Sequence, residues 1–383
     1  MNEVRIGIIG VGNMGTSHAK NIIAGKVPGA KLTALCDSDP KRLEAFSEQK
    51  HFSDAQELIG SGEIDAVIIA TPHYPHTTLG IAALEAGLHT LVEKPISVHK
   101  ADCERLIAAH QNKNLVFAAM FNQRTDPRYV KLRELITSGQ LGRINRINWI
   151  ITDWFRTAAY YASGGWRATW GGEGGGVLLN QCPHQLDLMQ WLFGMPTEVR
   201  SYCQIGRFHD IEVEDDVTTY LKYENGATGV FITTTGEAPG TNRLEVAAEQ
   251  GKVVIEGEGI QWTRNEKQTT EFSNETKGGF DKPPVWDIKI PTSGFGEQHI
   301  GIMKNFVDAI LNGAELIAPA AEGIHSVELA NAMLYSSFTD STLKLPLDGA
   351  AYEAHLKKLI AESTHKKKTV ETGPADLSGS FSN

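Results

Sequence analysis

Val4-Arg5-Ile6-Gly7-Ile8-Ile9-Gly10-Val11-Gly12-Asn13-Met14-Gly15 opens the chain, and an acidic residue, Asp37, follows about twenty positions later. Apolar residues run straight into Gly10 and a helical pattern begins just after it, so the glycines belong to a strand-to-helix turn. In such a turn backbone N–H groups approach a pyrophosphate, and the helix N-terminus faces its negative charge. Gly10 serves the tight turn, Gly12 admits the phosphates, and Gly15 lets the helix pack close to the strand. Asn13 and Met14 complete the candidate phosphate contacts. Lys31 to Cys36 reads as a second strand ending at Asp37, with Ser38 just beyond. A carboxylate there binds both hydroxyls of an adenosine ribose and repels a 2′-phosphate, which favours NAD over NADP.

The rest of the first third repeats the strand–helix rhythm. Asp39-Pro40 predicts a helix through about Gln49, with Asp39 as N-cap and Pro40 at the first helical position. Asp65 to Thr71 is a short continuous apolar run, as a parallel strand covered on both faces requires. A helix is expected over about His76 to Ala86, a strand over Leu88 to Val92, a helix near Lys100 to Gln111 and a buried strand over Leu115 to Met120. This repetition predicts a doubly wound parallel sheet, which binds ligands beyond the carboxyl ends of its strands. Gly10, Asp37, Thr71 and Glu93 all fall on that edge. Pro72, His73 and His76 follow Thr71, and Lys94 follows Glu93, completing the candidate cofactor contacts.

Beyond about Phe121 the rhythm changes. Pro127 to Ser138 reads as a helix, Arg143 to Thr152 as a long strand, Gly176 to Leu192 as a helix, and Glu198 to Trp262 as largely β. Asn225-Gly226 between two strand-like runs signals a hairpin. Two later helices, about Ile300 to Asn312 and Ala321 to Ser337, return to cover either the first domain or one face of the second sheet. The expected architecture is therefore α/β followed by α+β: a dinucleotide-binding Rossmann domain over 1–122, a substrate-binding and oligomerisation domain with an open mixed sheet over 123–363, and a frayed polar tail over 364–383.

A length of 383 residues suits two domains, and the 41% apolar and 21% charged fractions are those of an ordinary soluble protein. A net charge of −10 argues against sequence-independent binding to nucleic acid or an anionic membrane. The four cysteines, Cys36, Cys103, Cys182 and Cys203, are scattered without metal or disulfide spacing. With a strand beginning a few residues from Met1 and no apolar run of membrane-spanning length, a cytoplasmic location is expected.

Three constellations carry chemistry. At the end of a parallel strand, Lys94 of Glu93-Lys94-Pro95 is placed to exchange a proton with a substrate hydroxyl, provided its pKa falls from ~10.4. A surface ion pair would serve the same lysine as well, and Pro95 is open to either isomer. In Gly174-Gly175-Gly176-Val177-Leu178-Leu179-Asn180-Gln181-Cys182-Pro183-His184-Gln185-Leu186-Asp187, the spacing predicts Asn180 and His184 on one helix face, one orienting a hydroxyl and the other handling its proton. Asp187 reads as structural. Asp153-Trp154-Phe155-Arg156, Tyr160-Tyr161, Trp166-Arg167 and Trp170 suit carbohydrate faces and hydroxyls, or a domain interface. His73 and His76 follow a strand in a loop, with no carboxylate or Cys at ligand spacing, so no metal is expected.

Gly10-x-Gly12-x-x-Gly15, Ala70-Thr71-Pro72-His73, Glu93-Lys94-Pro95 and the Gly174–Asp187 stretch occur in the order seen in the glucose–fructose oxidoreductase/inositol dehydrogenase/MocA family, which the chain resembles over nearly its whole length, through Phe306-Val307-Asp308-Ala309-Ile310 to Leu329-Ala330. The resemblance implies NAD(P)-dependent oxidation or reduction of sugars, polyols and their derivatives, and a homodimer or homotetramer built through the second domain's sheet. It implies that Lys94 and His184 are catalytic, with Asn180 where many members carry aspartate; Asn can hydrogen-bond but cannot stabilise an imidazolium by charge. Asn122, Arg124, Trp154, Arg156, Trp166 and Arg167, with Asn180 and His184, are the expected substrate contacts. Two alternatives stand beside a dehydrogenase: a redox-neutral glycosidase with a tightly bound, cycling NAD, and a non-catalytic NAD-binding regulator.

Overall fold

A computed structural model describes residues 2–367. Its first layer is a six-stranded parallel sheet of β1 (Val4–Ile9), β2 (Ala30–Cys36), β3 (Lys50–Phe52), β4 (Ala66–Ile69), β5 (His89–Val92) and β6 (Phe117–Ala119), in the order β3-β2-β1-β4-β5-β6. The order reverses between β1 and β4, and that switch point is where an open parallel sheet binds its ligand. Ile6, Ile8, Val67, Ile68 and Ile69 are fully buried, as strands covered on both faces must be. Helices α1 (Asn13–Ile23), α2 (Ala55–Ile59), α3 (His73–Glu85) and α4 (Lys100–Ala109) supply the cover.

Sequence and structure part in three places here. The helix expected over 39–49 is only a 3₁₀ turn at Pro40–Arg42, with Asp39 capping Lys41 as anticipated. Leu43, Phe46 and Gln49 each donate to the carbonyl three residues back, so Leu43 and Phe46 turn into the core without forming an α-helix. The edge strand β3 was not anticipated, since Lys-His-Phe carries no apolar pattern. His73 and His76 lie in the first turn of α3, not in a loop.

The second layer is a nine-stranded mixed sheet. Its strands are β7 (Ile144–Ile151), β8 (Glu198–Ile205), β9 (Glu214–Lys222), β10 (Thr228–Thr234), β11 (Asn242–Ala248), β12 (Gly251–Glu256), β13 (Ile260–Asn265), β14 (Val285–Ile290) and β15 (Leu343–Lys344). The order is β14-β13-β12-β11-β7-β10-β9-β8-β15, antiparallel except for the β7–β10 pair. The Asn225-Gly226 turn joins β9 to β10, with Gly226 at φ 84°. Helices α5 (Pro127–Thr137), α6 (Ala158–Ala162), α7 (Pro183–Phe193), α8 (Thr269–Glu275), α9 (Gln298–Asn312), α10 (Gly323–Phe338) and α11 (Gly349–Glu362) complete the chain. The two return helices divide the alternatives between them. Ile302, Met303, Phe306 and Val307 of α9 join the first core, whereas Leu329, Ala330, Met333 and Leu334 of α10 join the second. α11, capped by Asp348, occupies a region left unassigned by the sequence pattern. Of the tail expected over 364–383, residues 368–383 lie outside the described residues.

Arg124 ties the layers together. It follows the parallel sheet in a 3₁₀ turn, and its guanidinium grips Asp187 of α7 bidentately at 2.7 and 2.6 Å. It also donates to the Ile317 carbonyl at 3.1 Å and to Glu322 at 2.5 Å. With 2% of its surface exposed and its donors engaged, Arg124 is a structural clamp, which corrects its expected place among the substrate contacts. Asp187 has the structural part anticipated for it. Removing one partner of a buried ion pair strands the other charge. Asp187→Ala should therefore cost about 3–5 kcal/mol in urea unfolding. Glu322→Ala, whose carboxylate is 42% exposed, should cost under about 1 kcal/mol.

Candidate functional site

The turn after β1 is built for a close approach. Gly10 has φ +91°, and a Cβ there would lie 2.7 Å from the Ala70 carbonyl group. A Cβ on Gly15 would sit 1.9 Å from the Gly10 oxygen, so α1 can pack on β1 only with glycine at that position. Around Gly12 a Cβ would meet only Arg42 Nη1, at 3.8 Å. Gly12 caps α1 without a side-chain acceptor, so the N–H groups of the first turn, at Asn13 and Met14, point where an anion is stabilised. At the end of β2, Asp37 accepts the Val11 N–H at 2.8 Å and the Asp39 N–H at 2.9 Å. Arg42 Nη1 also approaches the carboxylate, at 3.5 Å; a carboxylate has about four acceptor positions, so room remains for ribose hydroxyls. Ser38 is exposed beside it, and Thr71 and Pro72 border the same edge after β4. This cradle fits a dinucleotide. His76 does not belong to it: the ring is 1% exposed and both nitrogens face backbone carbonyls, of Pro95 at 2.8 Å and Thr71 at 2.9 Å. His73 is likewise buried, with Nδ1 on the Glu173 carbonyl at 3.1 Å.

Beyond β5 stand Glu93 and Lys94, followed by a cis Lys94–Pro95 peptide. Burial raises the Glu93 pKa, but the His18 hydrogen bond at 2.7 Å, with the charges of His18, His299 and Lys94, outweighs burial and holds it at about 2. Lys94 reaches across to the second layer and donates from Nζ to the Asn180 carbonyl at 2.7 Å. Burial lowers its pKa; Glu93 and Glu173 oppose that shift, while Arg167 and Arg156 add to it. His184, in the first turn of α7, is 7% exposed, and its Nδ1 has no hydrogen-bond partner. Burial, then Lys94 and His299, push its pKa well below the ordinary range, so the imidazole is neutral at pH 7.

Asn180 and His184 do not share a helix face. Cys182 caps α7 and Pro183 is its first residue, so the expected helix loses its first seven positions. Proline disfavours helical backbone at the residue before it. Ahead of that point the fully buried Glu214 carboxylate accepts the Gly176 and Leu178 N–H groups at 2.8 and 3.0 Å, holding the segment as a turn. A Cβ on Gly176 would lie 2.0 Å from the Glu214 backbone oxygen. The Asn180 side chain is committed elsewhere: Nδ2 donates to Glu173, and Oδ1 accepts from Tyr160 at 3.2 Å and Gln181 at 3.1 Å.

Facing this turn, the aromatic cluster assembles as a stack. The Arg156 guanidinium lies 5.3 Å from the Trp154 ring and 5.2 Å from Tyr160, and Arg167 lies 4.6 Å from both Tyr160 and Trp166. These side chains are half-buried, and Trp154 Nε1 and Gln181 Oε1 are buried atoms without partners. Tyr161 and Trp170 are core residues. Asn122 is 4% exposed and donates to Gln298 at 2.6 Å, leaving its own Oδ1 unpartnered. Burial pushes the Cys182 thiol up to about 12, so it is no nucleophile at neutral pH. Among the described residues no three His, Cys, Asp or Glu side chains gather as a metal ion would need, and no helix is long and apolar enough to cross a membrane.

Sequence reasoning missed His18, Glu173, Glu214 and His299. His18 had a signal: it is a polar residue within the buried α1 stripe of Gly15, His18, Ala19 and Ile22. Glu173 directly precedes the glycine run, but nothing local marks it as buried. The cradle makes a direct prediction. Asp37→Ala should raise the Kd for NAD by about ten-fold to a hundred-fold, the worth of charged hydrogen bonds of ~1.5–3 kcal/mol, with a smaller change for NADP in paired titrations.

Comparison with known proteins agrees with this geometry. Residues 4–121 match the model of an oxidoreductase family with an NAD-binding Rossmann fold, and residues 129–254 match the GFO/IDH/MocA C-terminal domain. The chain is 27% identical to myo-inositol 2-dehydrogenase of Thermotoga maritima across 72% of this chain and 79% of that protein. It is 25% identical to levoglucosan dehydrogenase of Pseudarthrobacter phenanthrenivorans across 90% and 99%. Among solved structures, the WlbA dehydrogenase of Chromobacterium violaceum, in complex with NADH and UDP-GlcNAcA, superposes with a TM-score of 0.77 at 26% identity, covering 91% of this chain and 97% of that one. With both layers matched in order, the chain belongs to the Gfo/Idh/MocA family of NAD-binding oxidoreductases.

Proposed function

We propose that this protein is an NAD-dependent dehydrogenase or reductase acting on a CH–OH group of a sugar, polyol or sugar derivative. The observation that carries the reading is Lys94: a largely buried amine of lowered pKa, at the ligand-binding edge of the parallel sheet and bonded to the Asn180 carbonyl of the opposite layer. The similarity to inositol and levoglucosan dehydrogenases supports the substrate class.

Oxidation of CH–OH to C=O removes a proton from oxygen and a hydride from carbon. Bound NAD⁺ would supply the hydride acceptor. Lys94 in its free-base form takes the hydroxyl proton and becomes an ammonium, which the Asn180 carbonyl receives and the charges of Glu93 and Glu173 stabilise. His184 acts as a neutral hydrogen-bonding group towards the same oxygen. Trp154 and Trp166 offer faces to C–H groups, and Arg156, Arg167 and Gln181 offer polar atoms to the remaining hydroxyls. Gly10, Gly12, Gly15 and Asp37 hold the cofactor. Residues 1–122 act as the dinucleotide unit and 123–363 as the substrate unit, with the outer face of the nine-stranded sheet as the subunit contact of a dimer or tetramer.

The test is free NADH formation from NAD⁺ with a panel of inositols, sugars and simple glycosides. Turnover with one class supports the reading; a bound nucleotide that never exchanges would instead favour a redox-neutral enzyme. Lys94→Ala should lower kcat by about 10²–10⁴-fold while NAD still binds, since that is what a proton-transfer group contributes. Near-normal turnover in that variant would contradict the assignment. The free-base fraction of a lysine rises with pH, and a lowered pKa moves that rise downward. Oxidation should therefore increase with pH and level off below the ordinary lysine range near ~10.4, while the reverse reduction falls over the same interval.

A further inference from the structure

Glu173 is a carboxylate with 2% of its surface exposed, placed where three segments of the site converge. Its backbone carbonyl receives His73 Nδ1 from α3 at 3.1 Å. Oε2 accepts the N–H of Ala168, a residue at φ 52°, at 2.5 Å, and so fixes the turn that presents Trp166 and Arg167. Oε1 accepts Nδ2 of Asn180, whose backbone carbonyl in turn holds Lys94 Nζ. Both oxygens face donors; burial raises the Glu173 pKa, while Arg167, the Ala168 N–H and the Asn180 amide oppose that rise and favour the ionised form. The orientation of the Asn180 amide follows from the same network, since its Oδ1 receives the Tyr160 hydroxyl and Tyr160 itself receives Arg167 Nη1 at 2.9 Å.

We propose that Glu173 is a positioning residue for the proton-transfer lysine: its carboxylate fixes the Asn180 segment that holds the Lys94 ammonium, and it keeps a negative charge behind that segment. This rests on the reading of Lys94 given above. Isolating a carboxylate from water costs several kcal/mol, and a turn needing only a hydrogen-bond acceptor could be held by a neutral amide. A buried charge here is accounted for by the cation opposite it. Two carboxylates face Lys94, and the other, Glu93, is already bonded to His18 at 2.7 Å.

The surrounding charges fix the sign of the effect. Lys94 faces Glu93 and Glu173 on the negative side and Arg156 and Arg167 on the positive side. Burial lowers the pKa of His73, His76, His184 and His299, which also surround it, and so favours their neutral forms. Glu173 itself faces Arg167, Lys367 and, with like sign, Glu214. Removing the Glu173 charge thus takes away one of two attractions for the ammonium, and Lys94 should lose its proton at lower pH.

Glu173→Gln keeps the shape and removes the charge. The direct readout needs neither substrate nor cofactor: reductively ¹³C-methylated protein is titrated by NMR, with the Lys94 signal assigned by its loss in Lys94→Arg. The expected result is a Lys94 titration displaced to lower pH in Glu173→Gln, matched by the same displacement of the ascending limb of kcat/KM. Glu173→Asp, which retains a charge but withdraws it by one methylene, should show a smaller displacement in the same direction. It also serves alone if the glutamine variant does not fold. A Lys94 titration that superposes on the wild type in whichever variant folds would overturn the proposal, even with reduced thermal stability, and leave Glu173 a turn-former only. If Lys94→Ala turned over normally, the reading of Lys94 would fall instead, and the NMR result would show separately whether Glu173 still governs its charge.

Discussion

The site exists because α7 is pinned against the end of the parallel sheet, and the Arg124–Asp187 ion pair does the pinning. Arg124 leaves the parallel sheet three residues after Phe121, Asp187 lies one turn into α7, and both side chains are 1% exposed. A pair so deep needs good geometry to offset its desolvation, and the two parallel bonds at 2.7 and 2.6 Å provide it. The guanidinium also lies 5.8 Å from the Phe121 ring and 5.5 Å from the Trp191 ring. His184 lies three residues before Asp187 on the same helix, so the clamp sets its distance from Lys94.

From that fixed point the chemistry follows as a balance of charges. Lys94 is pulled towards its neutral form by burial and by two arginines, and towards its charged form by the carboxylates of Glu93 and Glu173. Each carboxylate is held by a separate device: Glu93 by His18 from α1, Glu173 by the Ala168 N–H and the Asn180 amide. The motif's histidine, desolvated and facing Lys94, with the nearby Asp187 carboxylate committed to Arg124, stays neutral. This balance is what supports the proposed roles, Lys94 as the proton-transfer group and His184 as a neutral orienting one.

Much of this was legible in the sequence, for physical reasons that differ by element. The parallel sheet was readable because strands buried on both faces must be apolar, as β4 is throughout and β1 is beyond the exposed Arg5. The glycine positions were readable because a Cβ at Gly10 or Gly15 would collide with backbone. The turn over 176–182 was misread as helix because its shape is imposed from outside, by Glu214 some forty positions along the chain, though Pro183 was a local warning. Arg124 was misread for the same kind of reason: a guanidinium near a motif looks like a substrate contact until Asp187 and Glu322 are seen to claim it. His76 was misread because nothing local shows that its ring is buried between two backbone carbonyls. Short polar elements such as β3 carry no periodicity to detect.

In the proposed reaction the molecule removes hydrogen from a carbinol carbon and hands it to an exchangeable nicotinamide. Deuterium can be followed from a polyol or sugar labelled at its carbinol carbons, incubated with NAD⁺ and the wild-type protein, into the cofactor released to solution. If this reading holds, label enters the nicotinamide ring of free NADH, in step with ketone formation. Label that returns to a redox-neutral product, or that never leaves the substrate, would contradict it.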